Sequence, residues 1–462
     1  MNLYFWKNWQ KPLFAFYSFL LFVLATAILN YVACLIWGTD WAISWQNAED
    51  LQAHPFILET FSKNFFNFDY QLDSFLLVNE FKAAAIQTPD IQVWAYAFFL
   101  LLAWHILLTV GTFLTRTWYA LFTGSWLLFL VLAHLELLEI GQERTFLAVV
   151  AISYVGLSYA LYAIENKLNF LFRFGILASL GLIFGLLVAY FSSLSAPILL
   201  LTNYSMAIPL ALTLVFVAIN AHEILRGFLF LVIEKRSNNP SGLKHFLVIS
   251  SVYLLNLLYV YFYNIKVFDW GIFYISPFVL FPFTVILGIW GFAIRPNQYN
   301  FIFNFVPNGA FVYLALALIS LSSATYAFAT ANDVLVEVFE DIFLYLHLGL
   351  GVGFVFYVVS NYTNFIRSKY DIYQVLYLGG QMGRIDFYWV QILGLVVVLG
   401  LMSRTDYFTY RQAWAGYFNY VGDMYVAQNE ELAAEQQYRS AAGYEFQNHK
   451  SNYSLAYLLL QK

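Results

Sequence analysis

LFAFYSFLLFVLATAILNYVACLIW, residues 13–37, holds neither an acid nor a base in 25 positions. A helix needs about 20 apolar residues to cross a hydrocarbon core of about 30 Å. This stretch is long enough to do so. The opening MNLYFWKNWQKP places Lys7 and Lys11 just before it, and no small-residue cleavage site follows. The run is therefore read as a retained first span, not as a removed signal peptide.

Runs of the same kind recur to residue 403. Eleven spans are expected, at 13–37, 92–114, 118–140, 145–164, 172–194, 207–234, 245–264, 275–294, 309–330, 333–360 and 387–403. The fold class is all-α: a polytopic helical membrane protein, with residues 1–403 as the transmembrane domain. Composition agrees, since the chain is 61% hydrophobic and only 11% charged, against about 25% charged in soluble domains. Residues 198–234 are too long for one straight span. Pro197 and Pro209 divide them into a short re-entrant or interfacial piece and a full helix.

The formal charge of −5 gives no case for nucleic-acid binding. The lone Cys34 excludes a disulfide or thiolate metal site within the chain. No metal and no cofactor is expected. Walker, dinucleotide, nucleophile-elbow and kinase patterns are absent. Gly181 with Gly185, and Gly349 with Gly353, lie inside apolar runs and suit close helix packing.

Basic residues orient the spans. With a cytoplasmic N-terminus, the inner connections carry Lys7, Lys11, Arg116, Lys167, Arg173, Lys235, Arg236, Lys244, Arg295, Arg367, Lys369 and Arg384. Before the tail, the outer ones carry only Lys63, Lys82, Arg144 and Lys266. The expected location is a bacterial inner (plasma) membrane, with the C-terminus extracytoplasmic. The first outer segment, 38–91, is acidic. Ile57, Leu58, Phe61, Phe65 and Phe68 recur there at helical spacing, which predicts an amphipathic helix on the membrane surface.

The tail, 404–462, has its own pattern. From Ala415 it reads AGYFNYVGDMYVAQNEELAAEQQYRSAAGYEF. Phe418 and Tyr425 stand as aromatics around the pair Val421-Gly422, and Ala434, Tyr438 and Ala441 follow at second-helix positions. Residues 410–462 thus resemble the tetratricopeptide repeat. Phe446 departs from the pattern, standing where that family places Pro. A second repeat begins at Asn452, with Leu455-Ala456 in the Leu-Gly place, and stops at Lys462. Either the natural chain continues or a partner caps this edge. The resemblance implies two antiparallel helices, 415–428 and 431–444, meeting at Gly422 and Ala434, and a protein or peptide partner for the tail.

A thin set of polar residues interrupts the apolar runs. Glu337 and Asp341 are four apart and share a helix face, Glu340 stands beside them, and His347 lies deeper. Glu136 and Glu139 end the third span at the same outer level, next to His134. These acids are expected to form one pocket with Glu340 and Asp341, because carboxylates facing lipid cost roughly 2.5–3.5 kcal/mol each. His222, Glu223 and Arg226 form a second polar site, in which Glu223 and Arg226 can pair within the helix. His105 stands alone on an apolar face and reads as structural. The four intramembrane histidines show no local metal-ligand spacing.

Three functions follow from these features. The first is an integral membrane envelope protein that anchors the external repeat module for protein interaction or assembly. The second is a membrane glycosyltransferase with a lipid-linked donor. The span layout and long first outer loop resemble GT-C glycosyltransferases, which implies Asp40, or Glu49-Asp50, as catalytic base or metal ligand. The third is an ion-coupled transporter using Glu340, Asp341, His347, Glu223 and His222. The lipid bilayer is a partner in all three.

Overall fold

The computed structural model describes residues 5–43, 45–83, 87, 89–141, 144–164, 168–234, 242–268, 270–295, 302, 305–367, 376–377, 385–405 and 408–460. The element order is α1 (Lys11–Ala42), β1 (Trp45–Lys63), β2 (Phe66–Ala83), α2 (Asp90–Gly111), α3 (Arg116–Leu132), α4 (Thr145–Ala163), α5 (Phe170–Phe191), α6 (Pro197–Tyr204), α7 (Ala207–Asn220), α8 (Glu223–Glu234), α9 (Gly242–Asn264), α10 (Pro277–Ile294), α11 (Ala310–Ala329), α12 (Asp333–Arg367), α13 (Phe387–Arg404), α14 (Phe408–Ala427), α15 (Glu431–Tyr444) and α16 (His449–Leu460).

Among the described residues, nine helices are long and apolar enough to cross a membrane, with α7 and α8 counted as one. The chain is a polytopic helical membrane protein. Two of the eleven expected spans differ from this set. The third does not run to residue 140: α3 has 17 residues, and His134 and Glu139 take left-handed backbone (φ 51° and 56°) around a 3-10 turn at Leu135–Leu138. Left-handed backbone at non-glycine residues cannot continue a right-handed helix. α13, expected as the last span, meets α14 at a bend of 76°, and only the bent pair together is long and apolar enough to cross. Pro197 opens α6, Pro209 lies in the first turn of α7, and Ser205 and Met206 part the two helices.

α11 is the hub. Its side chains are buried almost throughout, and α1, α2, α7, α10 and α12 surround it. Small residues allow the closest crossings. A Cβ on Gly349 would stand 2.6 Å from the Gly394 oxygen, and one on Gly353 3.0 Å from the Val390 oxygen, so α12 and α13 touch backbone to backbone. Gly181 makes room for the His105 imidazole, whereas Gly185 faces open space. Arg173 on α5 donates to the Thr112 carbonyl at the end of α2 (3.0 Å) and lies over the Phe113 ring (4.1 Å). It neutralises the carbonyl end of α2.

The segment expected as an amphipathic surface helix is a β-hairpin. β1 and β2 pair antiparallel from Trp45↔Ala83 to Lys63↔Phe66, with a bulge between Ile57 and Glu59. Asn64 turns the chain at φ 60°, a conformation that asparagine tolerates. The deciding pattern is period two. Phe66, Phe68, Tyr70 and Leu72 alternate with Asn67, Asp69, Gln71 and Asp73, which suits a strand. The helical spacing of Ile57, Leu58, Phe61, Phe65 and Phe68 was coincident with it. At about 3.4 Å per residue the ribbon is about 60 Å long.

In the tail, α14 and α15 form an antiparallel pair. A Cβ on Gly422 would press into the Tyr438 ring at 2.7 Å, and Ala434 is fully buried. Replacing Gly422 with Leu is expected to part these helices and expose 428–430 to protease, while the helical body keeps its elution profile.

Candidate functional site

Two polar constellations stand out. The first joins the tail to the body. The turn between α11 and α12 presents Thr330, Asn332 and Asp333. Asn332 donates to the Gly416 carbonyl (2.8 Å) and accepts from Asn419 (3.1 Å). Asn419 exchanges amide hydrogen bonds with Asn448 (3.1 and 3.3 Å). The Asp333 carboxylate accepts from the backbone N–H groups of His449 (2.7 Å) and Lys450 (3.1 Å). A carboxylate there satisfies the free donors and the positive end of α16.

Lys450 closes the arrangement. Its ammonium reaches Asp423 at 2.5 Å and the Thr330 carbonyl at 2.6 Å. The Tyr438 hydroxyl donates to the other Asp423 oxygen at 2.7 Å. The Lys450 and Asp423 side chains are each 1% exposed. Burial pushes the Asp423 carboxyl above its usual value, opposed by the Lys450 ammonium and the Tyr438 hydroxyl. Asn203 of α6 adds a further tie, donating to the Tyr420 carbonyl (2.8 Å) and accepting from Tyr326 (2.6 Å).

The acids of α12 belong to this dock. Thr409 donates to Asp341 and Gln412 to Glu337. The shared face of Glu337 and Asp341 therefore meets α14. The reason is length. α12 has 35 residues, about 52 Å at helical rise, against a hydrocarbon core of about 30 Å. α13 ends where Thr405 bonds Tyr345, one turn from Asp341. The first turns of α12 extend past that end and serve as a post for the tail.

The expected single pocket of acids is not what these bonds describe. Glu340 turns toward Asn264 at the end of α9. Glu139 accepts from Ser193, and Glu136 pairs with His134 (3.1 Å), whose ring leans on Tyr204. Glu136 and Glu139 are thus held by the α3–α4 connection and the turn after α5, while Glu340 and Asp341 are held by α9 and α14. Thr409 and Gln412 carried no sequence signal, because neutral partners some 70 positions away leave no local spacing to read.

The second constellation is buried inside the bundle, where α7 and α8 part at His222. Glu223 is fully buried and faces Arg226 on its own helix, Arg295 of α10 at 2.7 Å and His222 at 3.5 Å. Arg295 also donates to the Ile219 carbonyl (3.1 Å), Asn220 (3.3 Å) and the Gly291 carbonyl (3.2 Å). Arg226 donates to the Leu287 carbonyl at 3.1 Å. A side chain on Gly291 would overlap the Glu223 carboxylate. Tyr377 covers the site, its hydroxyl 3.4 Å from His222 and its ring 5.6 Å from the Arg295 guanidinium. The sequence pairs Glu223 with Arg226. It misses Arg295, because a basic residue at a span end reads as a loop charge.

The other two histidines of the apolar runs, His105 and His347, are each held by a pair of bonds. His347 reaches the Phe343 carbonyl (2.6 Å) and Thr284 (2.7 Å), and His105 the Leu101 carbonyl (2.6 Å) and Tyr154 (2.9 Å). A carbonyl only accepts, so Nδ1 donates in both, and Nε2 of the neutral ring accepts from the hydroxyl. Asp40 stands exposed near the end of α1, and Glu49 and Asp50 stand exposed on β1. Among the described residues no three His, Cys, Asp or Glu side chains converge as metal ligands.

Neither a protein-family model, nor a curated protein, nor a solved structure matches the chain.

Proposed function

We propose that the protein is a membrane scaffold whose helical body holds a tetratricopeptide-like tail in one fixed pose outside the cytoplasm, for assembly with a protein partner. The observation that carries this reading is the buried dock between the tail and the α11–α12 turn. A flexible tether would need one span and no buried ion pair. Here Lys450, Asp423, Asn332, Asn419, Asn448 and Asp333 are all spent on orientation. α15 and α16 then present their outer faces, where Leu432, Leu459 and Leu460 are exposed. Transfer chemistry finds less support: Asp40, Glu49 and Asp50 stand in the open rather than in a recess. In this reading the charges of Glu223, Arg226 and Arg295 serve packing.

Photo-crosslinking side chains at Leu432 and Leu460 in living cells test the proposal. Both positions are expected to give protein adducts of one common mass. Leu182, exposed on the lipid side of α5, is expected to give none. Adducts are expected to vanish in Lys450→Met, where the tail is present but no longer held. Adducts of unrelated masses, or a pattern unchanged in Lys450→Met, count against a posed scaffold. A topology reporter fused after Tyr410 is expected to read extracytoplasmic, and a cytoplasmic reading refutes the orientation.

A further inference from the structure

The tail has an edge that the dock leaves bare. Along the first part of α14, 408–420, the buried residues are Thr409, Gln412, Ala415, Gly416, Asn419 and Tyr420. The opposite side carries Tyr410, Arg411 and Trp414, all exposed. Tyr444 joins them from the end of α15, and Phe446, 83% exposed, follows two residues on. The rings form a continuous strip. Tyr410 lies 6.4 Å from Trp414, Trp414 6.4 Å from Tyr444, and Phe418 5.5 Å from Tyr444. Arg411 donates to the Tyr444 carbonyl at 3.0 Å and ties the two helices at this edge.

The place of the strip says what covers it. α14 begins four residues after α13 ends at Arg404. α13 is 18 residues long, about 27 Å, close to the thickness of a hydrocarbon core. Thr409 sits level with Asp341, where the post begins to rise beyond α13. The strip therefore starts where the last span leaves the membrane. Tyrosine and tryptophan join an apolar ring to a polar atom, and so concentrate at headgroup depth. An arginine beside them keeps its charge in the headgroups while its stem lies in apolar surroundings.

We propose that the edge formed by Tyr410, Trp414, Tyr444 and Phe446 beds in the headgroup layer of the adjacent leaflet, so that lipid is its occupant. The inference uses only the passage of α13 through the membrane. It stands whether or not the tail recruits a protein. The dock then fixes the tail from above and the lipid contact from below.

The test places one nitroxide label on the full chain in phospholipid nanodiscs, with Cys34 replaced by Ala. Labelling sites are Phe446→Cys, Leu432→Cys at the far end of α15, and Leu182→Cys on the lipid side of α5. Collision with oxygen, which concentrates in lipid, is compared with collision with a water-soluble nickel chelate. Position 446 is expected to favour oxygen over nickel several-fold more than position 432, approaching position 182. If nickel reaches 446 as freely as 432, the edge is in water and the proposal falls. If neither reagent reaches 446, protein covers the edge and the proposal falls equally. Both results are readable while position 182 keeps its lipid signature, which reports an intact body.

Discussion

Lys450→Met is expected to free the tail while leaving the helical body folded. The substitution keeps most of the side-chain length and removes the charge, so Asp423 is left buried without its cation. Removing one partner of a buried pair costs about 3–5 kcal/mol. The Thr330 carbonyl loses its donor as well. Hydrogen exchange in α16 should rise by two orders of magnitude or more, and protease should cut at 428–430, with no change in α11. Lys450→Met combined with Asp423→Leu should recover much of the protection, because a well-packed apolar pair can replace a buried ion pair at little cost. Exchange in the single variant that equals the wild type would remove the ion pair from the account of how the tail is held.

The second large effect is expected at Glu223. Glu223→Gln leaves the Arg226 and Arg295 guanidinium groups against each other without the carboxylate between them. Burial makes that repulsion expensive, and a loss of about 3–5 kcal/mol is expected. The measurement is the temperature at which detergent-solubilised protein loses its monodisperse peak, which should fall well below that of the wild type. Gly291→Ala should fall with it, since its Cβ enters the space of the same carboxylate. Glu59→Gln, on the exposed face of the ribbon, should not move it. If Glu223→Gln also matched the wild type, the cluster would hold nothing together.

The apolar runs were legible because a bilayer leaves a long uninterrupted signal in the chain, and nine of them became helices of sufficient length. Where signals competed, the reading went astray. In the hairpin, period-two alternation from Phe66 to Asp73 overlapped a helical spacing over Ile57–Phe68 and shared Phe68 with it. At the third span, hydropathy continues to residue 140, but the backbone reverses at His134, and nothing in an apolar run marks that reversal. The candidate site was legible as a set of expensive residues and not as a set of partners. Cost is a property of one residue, whereas partnership depends on where helices distant in sequence come to rest. Hence Glu337 and Asp341 were visible, and Gln412 and Thr409 were not. Hence also Asp423 and Lys450, in a polar tail where charge is unremarkable, drew no notice, although they are more deeply buried than the α12 acids.

The Lys450 to Thr330 hydrogen bond also sets a clock. The two residues lie 120 positions apart. At about 5–20 residues per second, synthesis takes about 6–24 s to travel that distance. Through that interval the α11–α12 turn has been made, but the Thr330 carbonyl waits for the Lys450 ammonium and Asp333 for the N–H groups of His449 and Lys450. A chain stopped before His449 keeps the apolar helices but leaves the Asp333 carboxylate and the Thr330 carbonyl of that turn without these donors.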